Sequence, residues 1–248
     1  RGRLDKQALV ENLHADDMDR LRANIIYALP HELRTPLTGL VGCAEFIVMD
    51  YETIEREQMR NIAEIMLRSI YRLEHLIENH LLYAQLELIK NQPETIQNMR
   101  AARLEYPSSA IAGAAQERAS THKRDDDVYL DVYDAQTAIG EDHMRKIAGE
   151  LVDNALKFSV AGTPVMISGW SENSSYHLRI ADQGRGMNSE ELRQIGAFNQ
   201  FNRAVYEQQG AGLGLIVSKR LVEIHGGRFD IASQPDRGTT IDIALPLG

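Results

Sequence analysis

Apolar residues recur every three or four positions from Ile26 to Ile47, and this spacing limits the fold of the chain more than any other feature. At about 100° per residue these positions share one face of an α-helix, and His31 falls on the opposite, water-facing side. Pro36 lies within the pattern, but the apolar spacing continues beyond it. We therefore expect a bend at Pro36 and not the end of the helix. The stripe comprises Ile26, Leu29, Leu33, Leu37, Leu40, Ala44 and Ile47.

A second helical pattern follows, with Thr53 as the expected N-cap. Its apolar face is as broad as that of the first helix, so the two are expected to pair as a hairpin. Two helices bury little by themselves, and both stripes therefore predict a dimeric four-helix bundle built with an identical chain. His75 and His80 are interpreted as packing or surface groups. The second stripe comprises Ile62, Met66, Ser69, Leu73, Ile77, His80 and Ala84, widened by Ile65, Leu76 and Leu81.

Three polar groups cluster around the exposed histidine. An imidazole with a pKa of about 6.5 is largely neutral at pH 7 and keeps one nitrogen lone pair for nucleophilic attack. Glu32 is adjacent to His31, where a carboxylate would orient the ring and accept its proton. Thr35 lies four residues on, on the same helix face. The same residues also fit an ordinary surface histidine on an amphipathic helix, and the downstream sequence decides between the two interpretations.

Composition excludes several classes of protein. A chain of 248 residues with 43% hydrophobic residues can bury a sizeable core and is long enough for two domains. The formal net charge of -9 argues against a nucleic-acid partner. No run of about 18 apolar residues occurs, so no membrane segment is expected. Cys43 is the only cysteine, which excludes an internal disulfide and fits packing in a reducing, cytoplasmic compartment.

The first residues are charged and include neither a signal peptide nor an initiator methionine. From this we expect a fragment whose upstream input domain is missing. Pro93 ends the second helical pattern and marks the expected linker. The predicted domains are 1–92, with 1–17 as an upstream linker helix, and 93–248.

The second half alternates between helical and strand patterns, which predicts a mixed sheet with helices on one face. The expected fold class is therefore α+β, a helical hairpin followed by an α/β sandwich. The expected helices span about 109–121, 141–158 and 213–225. The expected strands span 128–132, 165–168, 176–181, 228–232 and 240–245.

Glu150, Asn154 and Lys157 share one face of the helix that ends at Phe158. An amide oxygen is a hard ligand that suits Mg²⁺, so Asn154 is a candidate metal ligand. Lys157 can reach a phosphate, and Glu150 can hold the metal's water shell or a proton. A solvated helix face with an ion pair between Asp153 and Lys157 is the alternative interpretation.

Two glycine-rich segments follow. Asp182 follows directly on a strand and precedes two glycines, Gly184 and Gly186, so its carboxylate could accept a hydrogen bond from the exocyclic amine of adenine. The polar stretch 187–209 is too long for a simple connector and is a candidate mobile lid. It ends in Gly210-Ala211-Gly212-Leu213-Gly214 at the start of a helix, where backbone N–H groups would face phosphate.

The order of these motifs resembles the catalytic core of a sensor histidine kinase, over nearly all of the chain after about Met18. Residues 31–37 resemble the phosphoacceptor box, and residues 150–159 resemble the asparagine box. The first glycine box, the phenylalanine box and the second glycine box correspond to 182–186, 198–201 and 210–215. Residues 238–240 resemble the short closing motif, in which either Thr239 or Thr240 would face the adenine pocket.

The resemblance implies a dimeric helical bundle and a Bergerat-type ATP-binding domain. The implied catalytic residues are His31, Glu32 and Thr35, and the implied metal ligands are Asn154 and Glu150. Some family members have asparagine where this chain has Glu150, which leaves direct metal binding by Glu150 open. The implied ATP-binding residues are Glu150, Asn154, Lys157, Phe158, Asp182, Gly184, Gly186, Arg203, Gly210, Gly212, Leu213, Gly214 and Thr239.

The resemblance also implies an activity. The γ-phosphoryl group of Mg·ATP would pass to His31 and then to an aspartate on a response-regulator receiver domain, and Thr35 would support phosphatase activity toward that partner. Two rivals are a degenerate dimeric scaffold that signals by shape and a gyrase-like ATPase. The stretch 93–106 resembles no motif.

Overall fold

The computed structural model describes residues 29–197 and 213–248, without the side chains of His31 and of residues 194–197. The chain divides into two compact units, Arg1–Glu87 and Leu88–Gly248, which we call the first unit and the second unit. Arg203, Gly210 and Gly212 of the expected site lie outside the described residues, as do the phenylalanine box and most of the candidate lid.

The first unit contains an antiparallel helical hairpin, as predicted. Helix α1 spans Leu29–Asp50 and helix α2 spans Arg56–Ile89. Glu32 of α1 lies beside His80 of α2. Seven residues further along α1, a Cβ built on Gly39 would lie 3.4 Å from the hydroxyl oxygen of Ser69, which precedes His80 in α2. The two helices therefore run in opposite directions.

The turn between the helices differs from the prediction. Thr53 does not cap α2, because its hydroxyl donates to the Asp50 carbonyl oxygen at 3.1 Å and so satisfies the end of α1. Helix α2 begins at Arg56 instead. The side-chain oxygen of Gln58 accepts from the Glu55 backbone N–H at 3.1 Å, which is the reciprocal half of a capping box.

The apolar stripes are only partly covered within one chain. Pro36 is buried inside α1, which continues to Asp50 as expected. Leu37 of the predicted stripe is 47% exposed. On α2, Ile77 and Leu81 are 47% and 60% exposed. Each chain thus presents apolar surface beyond the contact between its own two helices.

The second unit is a five-stranded sheet with helices packed on one face. The strand order is β1-β2-β3-β5-β4, with β1 parallel to β2 and the other pairs antiparallel. The helices are α3 (Pro93–Arg100), α4 (Pro107–His122), α5 (Glu141–Phe158), α6 (Ser189–Ala197) and α7 (Leu213–Ile224). The strands are β1 (Val128–Val132), β2 (Val165–Glu172), β3 (Ser175–Ala181), β4 (Arg228–Ser233) and β5 (Thr239–Pro246).

The core of this unit lies between the sheet and helices α4, α5 and α7. Residues alternate across each strand, so Ile167 faces the helices and is buried, whereas Met166 beside it is 46% exposed. The largest fully buried apolar side chains include Ile111, Ile147, Leu151, Ile167, Leu178, Leu221, Ile243 and Leu245. The predicted mixed sheet with helices on one face is therefore present.

Two elements differ from the expected pattern. The stretch that resembled no motif contains a short helix, α3, which has Pro93 in its first turn. Strand β2 runs on to Glu172, four residues beyond its predicted end, and pairs with β3 through a tight turn at Asn173 and Ser174. Both turn residues have positive φ angles, of 49° and 64°. Within the described residues, no helix has the length and apolar character needed to cross a membrane.

Candidate functional site

One face of α5 carries a row of charged and amide side chains. Glu150 is only 3% exposed, and its Oε1 lies 2.8 Å from the Nζ of Lys146, one helical turn earlier. Asn154 is half-buried and Lys157 is exposed on the same face. Lys146 was not among the predicted site residues, although its spacing of four residues from Glu150 is the signal of a helical ion pair. Glu150 therefore has a cationic partner within the protein.

The start of α7 packs against this face. A Cβ built on Gly214 would overlap the carboxylate of Glu150, so a larger residue at that position would require the Glu150 carboxylate to move. Leu213, the first residue of α7, is half-buried, and Gly214 is buried. The described residues of the second glycine box therefore pack against the asparagine box on α5.

Asp182 lies just beyond β3 and is held by backbone donors. Its Oδ1 accepts from the N–H of Gly184 at 2.7 Å and from the N–H of Thr239 at 3.3 Å. Burial raises the pKa of Asp182, and these two hydrogen bonds oppose that rise. The described residues supply no donor to Oδ2. This arrangement fixes the carboxylate and leaves one oxygen able to accept from a ligand.

Three glycines allow the backbone segments around Asp182 to approach closely. A Cβ on Gly184 would overlap the carbonyl oxygen of Phe158, the last residue of α5. Gly186 has a φ of +61° and a Cβ there would overlap the Gln234 carbonyl oxygen. Gly238 has a φ of +82° and is pressed in the same way against the Asp182 carbonyl oxygen. Glycine is therefore required at each position by space, and at two of them also by backbone conformation.

Ser233 links the first glycine box to the turn between β4 and β5. Its hydroxyl accepts from the Met187 N–H at 2.9 Å and donates to the Gly238 carbonyl oxygen at 2.8 Å. Because its single proton is used there, the Thr239 hydroxyl, 2.9 Å away, donates to Ser233. Along β5, Thr239 shares the face of the buried Ile241, whereas Thr240 lies on the opposite face. This places Thr239 on the helix-covered side of the sheet.

The end of α5 is fixed by a buried cation, Arg124, which was also not among the predicted site residues. Arg124 is 7% exposed and donates to the carbonyl oxygens of Leu156, Ser159, Val160 and Thr163. It also pairs with Asp127 at 2.5 Å. A lone arginine between a helix and a strand gives no motif, so only the fold reveals this role.

Phe158, the last residue of α5, has two cations close to its ring. The Nζ of Lys157 is 5.4 Å and the guanidinium carbon of Arg185 is 5.0 Å from the centre of its ring. The N–H of Arg185 also donates to the Phe158 carbonyl oxygen at 3.2 Å. Cations over an aromatic face are attracted by the ring quadrupole. Arg185, the residue between Gly184 and Gly186, is thus part of the same cluster.

In the first unit, His31 lies in the first turns of α1, followed by Glu32 and Thr35. Thr35 is exposed. Glu32 is half-buried, and its Oε2 lies 3.8 Å from Nε2 of His80. The structure therefore places the three expected catalytic residues along one short stretch of helix, with His80 as an unexpected neighbour.

Two family models match the chain. Residues 21–89 match the His Kinase A (phospho-acceptor) domain. Residues 139–248 match the family of histidine kinase-, DNA gyrase B- and HSP90-like ATPases. These matches cover α1, α2 and the sheet domain from α5 onward.

Curated relatives match over most of this chain. The sensor histidine kinase AruS of Pseudomonas aeruginosa is 31% identical over 242 residues, which is 94% of this chain and 23% of AruS. The sensor protein SrrB of Staphylococcus aureus is 27% identical over 245 residues, which is 93% of this chain and 39% of SrrB. This chain thus spans well under half of the length of these relatives.

A solved structure shares the fold. The histidine kinase AdeS of Acinetobacter baumannii superposes with a TM-score of 0.61 at 22% identity, covering 88% of this chain and 98% of that one. The helical hairpin, the sheet domain, the two family models and these relatives agree. The chain belongs to the sensor histidine kinases and represents the catalytic core of that family.

Proposed function

We propose that the chain transfers the γ-phosphoryl group of ATP to His31 and then to an aspartate on a response-regulator receiver domain. The observation that carries the proposal is the Asp182 carboxylate, which two backbone N–H groups hold through a single oxygen. A buried acceptor with one oxygen left for a ligand suits the exocyclic amine of adenine. The Asp182 carboxylate thus supports a nucleotide-binding role for the second unit. For the first unit, a phosphoacceptor role is supported by the match of residues 21–89 to the His Kinase A (phospho-acceptor) domain.

The residues around Asp182 have distinct proposed roles. Phe158 would lie against the base, Thr239 would support Asp182, and Lys157 would meet a phosphate. Gly184 and Gly186 allow the close backbone contacts described above, and Gly214 allows the start of α7 to lie against the Glu150 carboxylate. Leu213 and Gly214 begin a helix, whose N-terminus favours anionic groups. Arg203, Gly210 and Gly212 remain predicted ATP-binding residues by resemblance.

The face of α5 with the charged and amide side chains suits a Mg²⁺ ion that takes few ligands from the protein. Asn154 offers an amide oxygen, and Mg²⁺ commonly takes few protein ligands together with waters and substrate phosphates. Glu150 is already paired with Lys146, so its proposed role is to hold the water shell of the metal. When bound, Mg²⁺ would offset charge on the transferred phosphoryl group. Asn154 and Glu150 stay the proposed residues of the metal site, Asn154 as a direct ligand and Glu150 through the metal's waters.

In the first unit, a nitrogen of His31 would attack the γ-phosphorus, and the bond from that phosphorus to the bridging oxygen of ADP would break. Glu32 would accept the proton from the imidazole and orient the ring. The phosphoryl group would then pass to the receiver aspartate and regenerate His31. Thr35 would position a water against the phosphorylated receiver during dephosphorylation.

We further propose that the core is a homodimer and acts in the cytoplasm. The exposed apolar residues Leu37, Ile77 and Leu81 support a second hairpin from an identical chain. The domain boundary is proposed between residues 92 and 93. A response-regulator receiver domain is the proposed protein partner, and no nucleic-acid partner is proposed for a chain with a net charge of -9.

Incubation of the purified chain with ATP labelled in the γ-phosphate tests this function. The wild-type chain should acquire phosphate that is labile to acid and stable to base. The variant His31→Gln should bind ATP as the wild type does and acquire no such phosphate. Continued labelling of His31→Gln would refute the assignment of His31. Steady ATP hydrolysis without any phosphoprotein would favour the gyrase-like ATPase, and ATP binding without either activity would favour the scaffold.

A further inference from the structure

His80 has a fixed orientation inside the helical hairpin. It is 9% exposed, on the apolar face of α2, and its Nδ1 lies 2.8 Å from the carbonyl oxygen of Leu76. A carbonyl oxygen only accepts hydrogen bonds, so Nδ1 carries the hydrogen and donates. The second ring nitrogen, Nε2, is thereby left to face another partner.

That partner is Glu32 on the opposite helix. Nε2 of His80 lies 3.8 Å from Oε2 of Glu32, which is beyond a direct hydrogen bond. Because Nδ1 already donates to Leu76, Nε2 attracts the carboxylate when it also carries a hydrogen, that is, when His80 is protonated and the two side chains form an ion pair. Among the described side chains, no other Lys, Arg or His lies within ion-pair distance of Glu32. The contact joins α1 and α2 one residue after His31.

A buried polar side chain at this position of the apolar stripe is unfavourable in free energy. Packing alone therefore does not explain why the residue is a histidine. Burying an imidazole without partners is unfavourable, and an apolar residue would fill the same space. The hydrogen bond to Leu76 satisfies one nitrogen of His80 but does not require the other to face a carboxylate. The arrangement is explained if the contact with Glu32 is itself useful.

We propose that His80 is a positioning residue for phosphotransfer and holds the Glu32 carboxylate where it acts on His31. This inference rests on the proposed function, because it gives Glu32 its task. A glutamate side chain has several rotatable bonds. A fixed partner reduces the number of conformations that Glu32 samples, so less conformational entropy is lost when its carboxylate takes the position in which it acts on His31. His80 itself touches neither ATP nor the phosphoryl group, so its effect passes through Glu32.

Single variants of the whole chain separate positioning from nucleotide binding. His80→Leu should lower the kcat of autophosphorylation about tenfold, or about 1.4 kcal/mol of barrier, and leave the KM and Kd for ATP unchanged. His80→Gln should retain most of the rate, because its amide places a donor near the position of Nε2. His75→Leu is the matched control, since His75 lies on the same helix and its Nε2 bonds the Asn79 side chain within α2.

A double-mutant cycle tests whether the effect passes through Glu32. In a Glu32→Gln background, adding His80→Leu should cause no further loss of rate. A loss of the same size in both backgrounds would show a general structural role and overturn the proposal. Helicity and oligomeric state are measured for each variant, and His80→Met takes the place of His80→Leu if the latter unfolds.

The result also separates this inference from the proposed function. A wild-type chain that acquires no acid-labile phosphate overturns both. A phosphorylated wild type with an unimpaired His80→Leu variant overturns the inference alone. Unequal KM values for ATP in wild type and His80→Leu would also contradict it, since the contact lies within the hairpin.

Discussion

The Asp182 carboxylate is half-buried, and two backbone N–H groups donate hydrogen bonds to one of its oxygens. Burial raises its pKa, which means that the folded protein disfavours the charged form. Between the usual pKa of 3.8 and the raised value, the folded state binds more protons than the unfolded state, so this group lowers stability as the pH rises. A charge retained at such a site is typical of a binding residue.

We expect Asp182→Asn to lose ATP binding without destabilising the free protein. The asparagine oxygen can keep the bonds from Gly184 and Thr239, but its NH₂ group would meet the adenine amine as a second donor. ATP affinity should fall by about 1–3 kcal/mol, or about five- to 150-fold. Calorimetric melting with and without ATP measures both effects. Asp242→Asn, which breaks an exposed pair with Arg179, is the control and should keep the shift caused by ATP.

Thr35 is exposed on α1, where it is predicted to act in dephosphorylation alone. Thr35→Ala should slow removal of phosphate from the receiver aspartate by about 10²-fold, the lower range for a positioned polar group. Its autophosphorylation rate should match the wild type. Thr38→Ala, at the next exposed threonine of α1, provides the control. Equal losses of both activities in Thr35→Ala would contradict the separation of roles.

Single residues were predictable from the sequence where spacing or a glycine carried the signal. Asp182 and its glycines come together as the pattern indicated, and the structure adds that Thr239 and not Thr240 shares the covered face. Ser233 and Arg124 were not predictable. Their roles depend on hydrogen bonds to backbone groups far away in the chain, and such bonds leave no local pattern.

Two helices of the second unit are joined by a pair of histidines. His225, 1% exposed at the end of α7, donates from Nδ1 to the Ala138 carbonyl oxygen at 3.1 Å. Its Nε2 therefore accepts from Nδ1 of His143 in α5, at 2.9 Å. Burial, with a smaller effect from the neighbouring His143, lowers the pKa of His225 from 6.5 to about 4. Protonation of His225 would bring two N–H groups face to face.

We therefore expect the second unit to lose stability as the pH falls from about 6.5 to about 4. In that window the unfolded histidine binds a proton that the folded one does not, so lowering the pH favours unfolding. His225→Asn should be less stable at pH 7 by about 1 kcal/mol, for a lost hydrogen bond, and show a weaker pH dependence.

Urea unfolding at several pH values measures this dependence. Trp170 in β2 is the only tryptophan, so its fluorescence reports on the second unit. His177→Asn, on the opposite face of the sheet where His177 stacks on Trp170, should keep the wild-type pH dependence. An unchanged slope in His225→Asn would show that other groups control acid unfolding.

At the scale of elements, the strongest periodic patterns gave the best predictions. Helix α5 and strand β1 have the bounds that the sequence indicated. Helix α3 was missed because it has eight residues and none of them is buried, so it shows no apolar stripe. Thr53 was misassigned because a threonine between two helices suits either the end of one or the start of the next, and only the hydrogen bond to Asp50 decides.

For the whole molecule, the main prediction concerns dimerisation. Leu81→Glu should convert a dimer into a monomer, because it places a charge on an apolar face that a second hairpin would bury. Arg72→Glu is the control, since it lies nine residues earlier and so on the opposite face of α2. Light scattering over a range of concentrations measures the mass. A monomeric wild type, or a dimeric Leu81→Glu, would contradict the proposed bundle.

The order of domains along the chain was the most predictable property of the whole molecule. Six motifs in sequence indicated a phosphoacceptor domain before an ATPase domain, and both family models match in that order. The surface shared with a partner was less predictable, because a broad stripe in the sequence does not say which residues its own hairpin covers. Leu37 shows this, since it belongs to the stripe and is nevertheless 47% exposed.

The close backbone contacts of Gly184, Gly186 and Gly238 have a genetic consequence. At each of these positions the group that blocks a side chain is a main-chain carbonyl oxygen, which every amino acid carries. Trimming a neighbouring side chain therefore cannot restore room after one of these glycines is replaced. Second-site revertants of such a lesion should be rare, and recovery should come almost entirely from restoring the original codon.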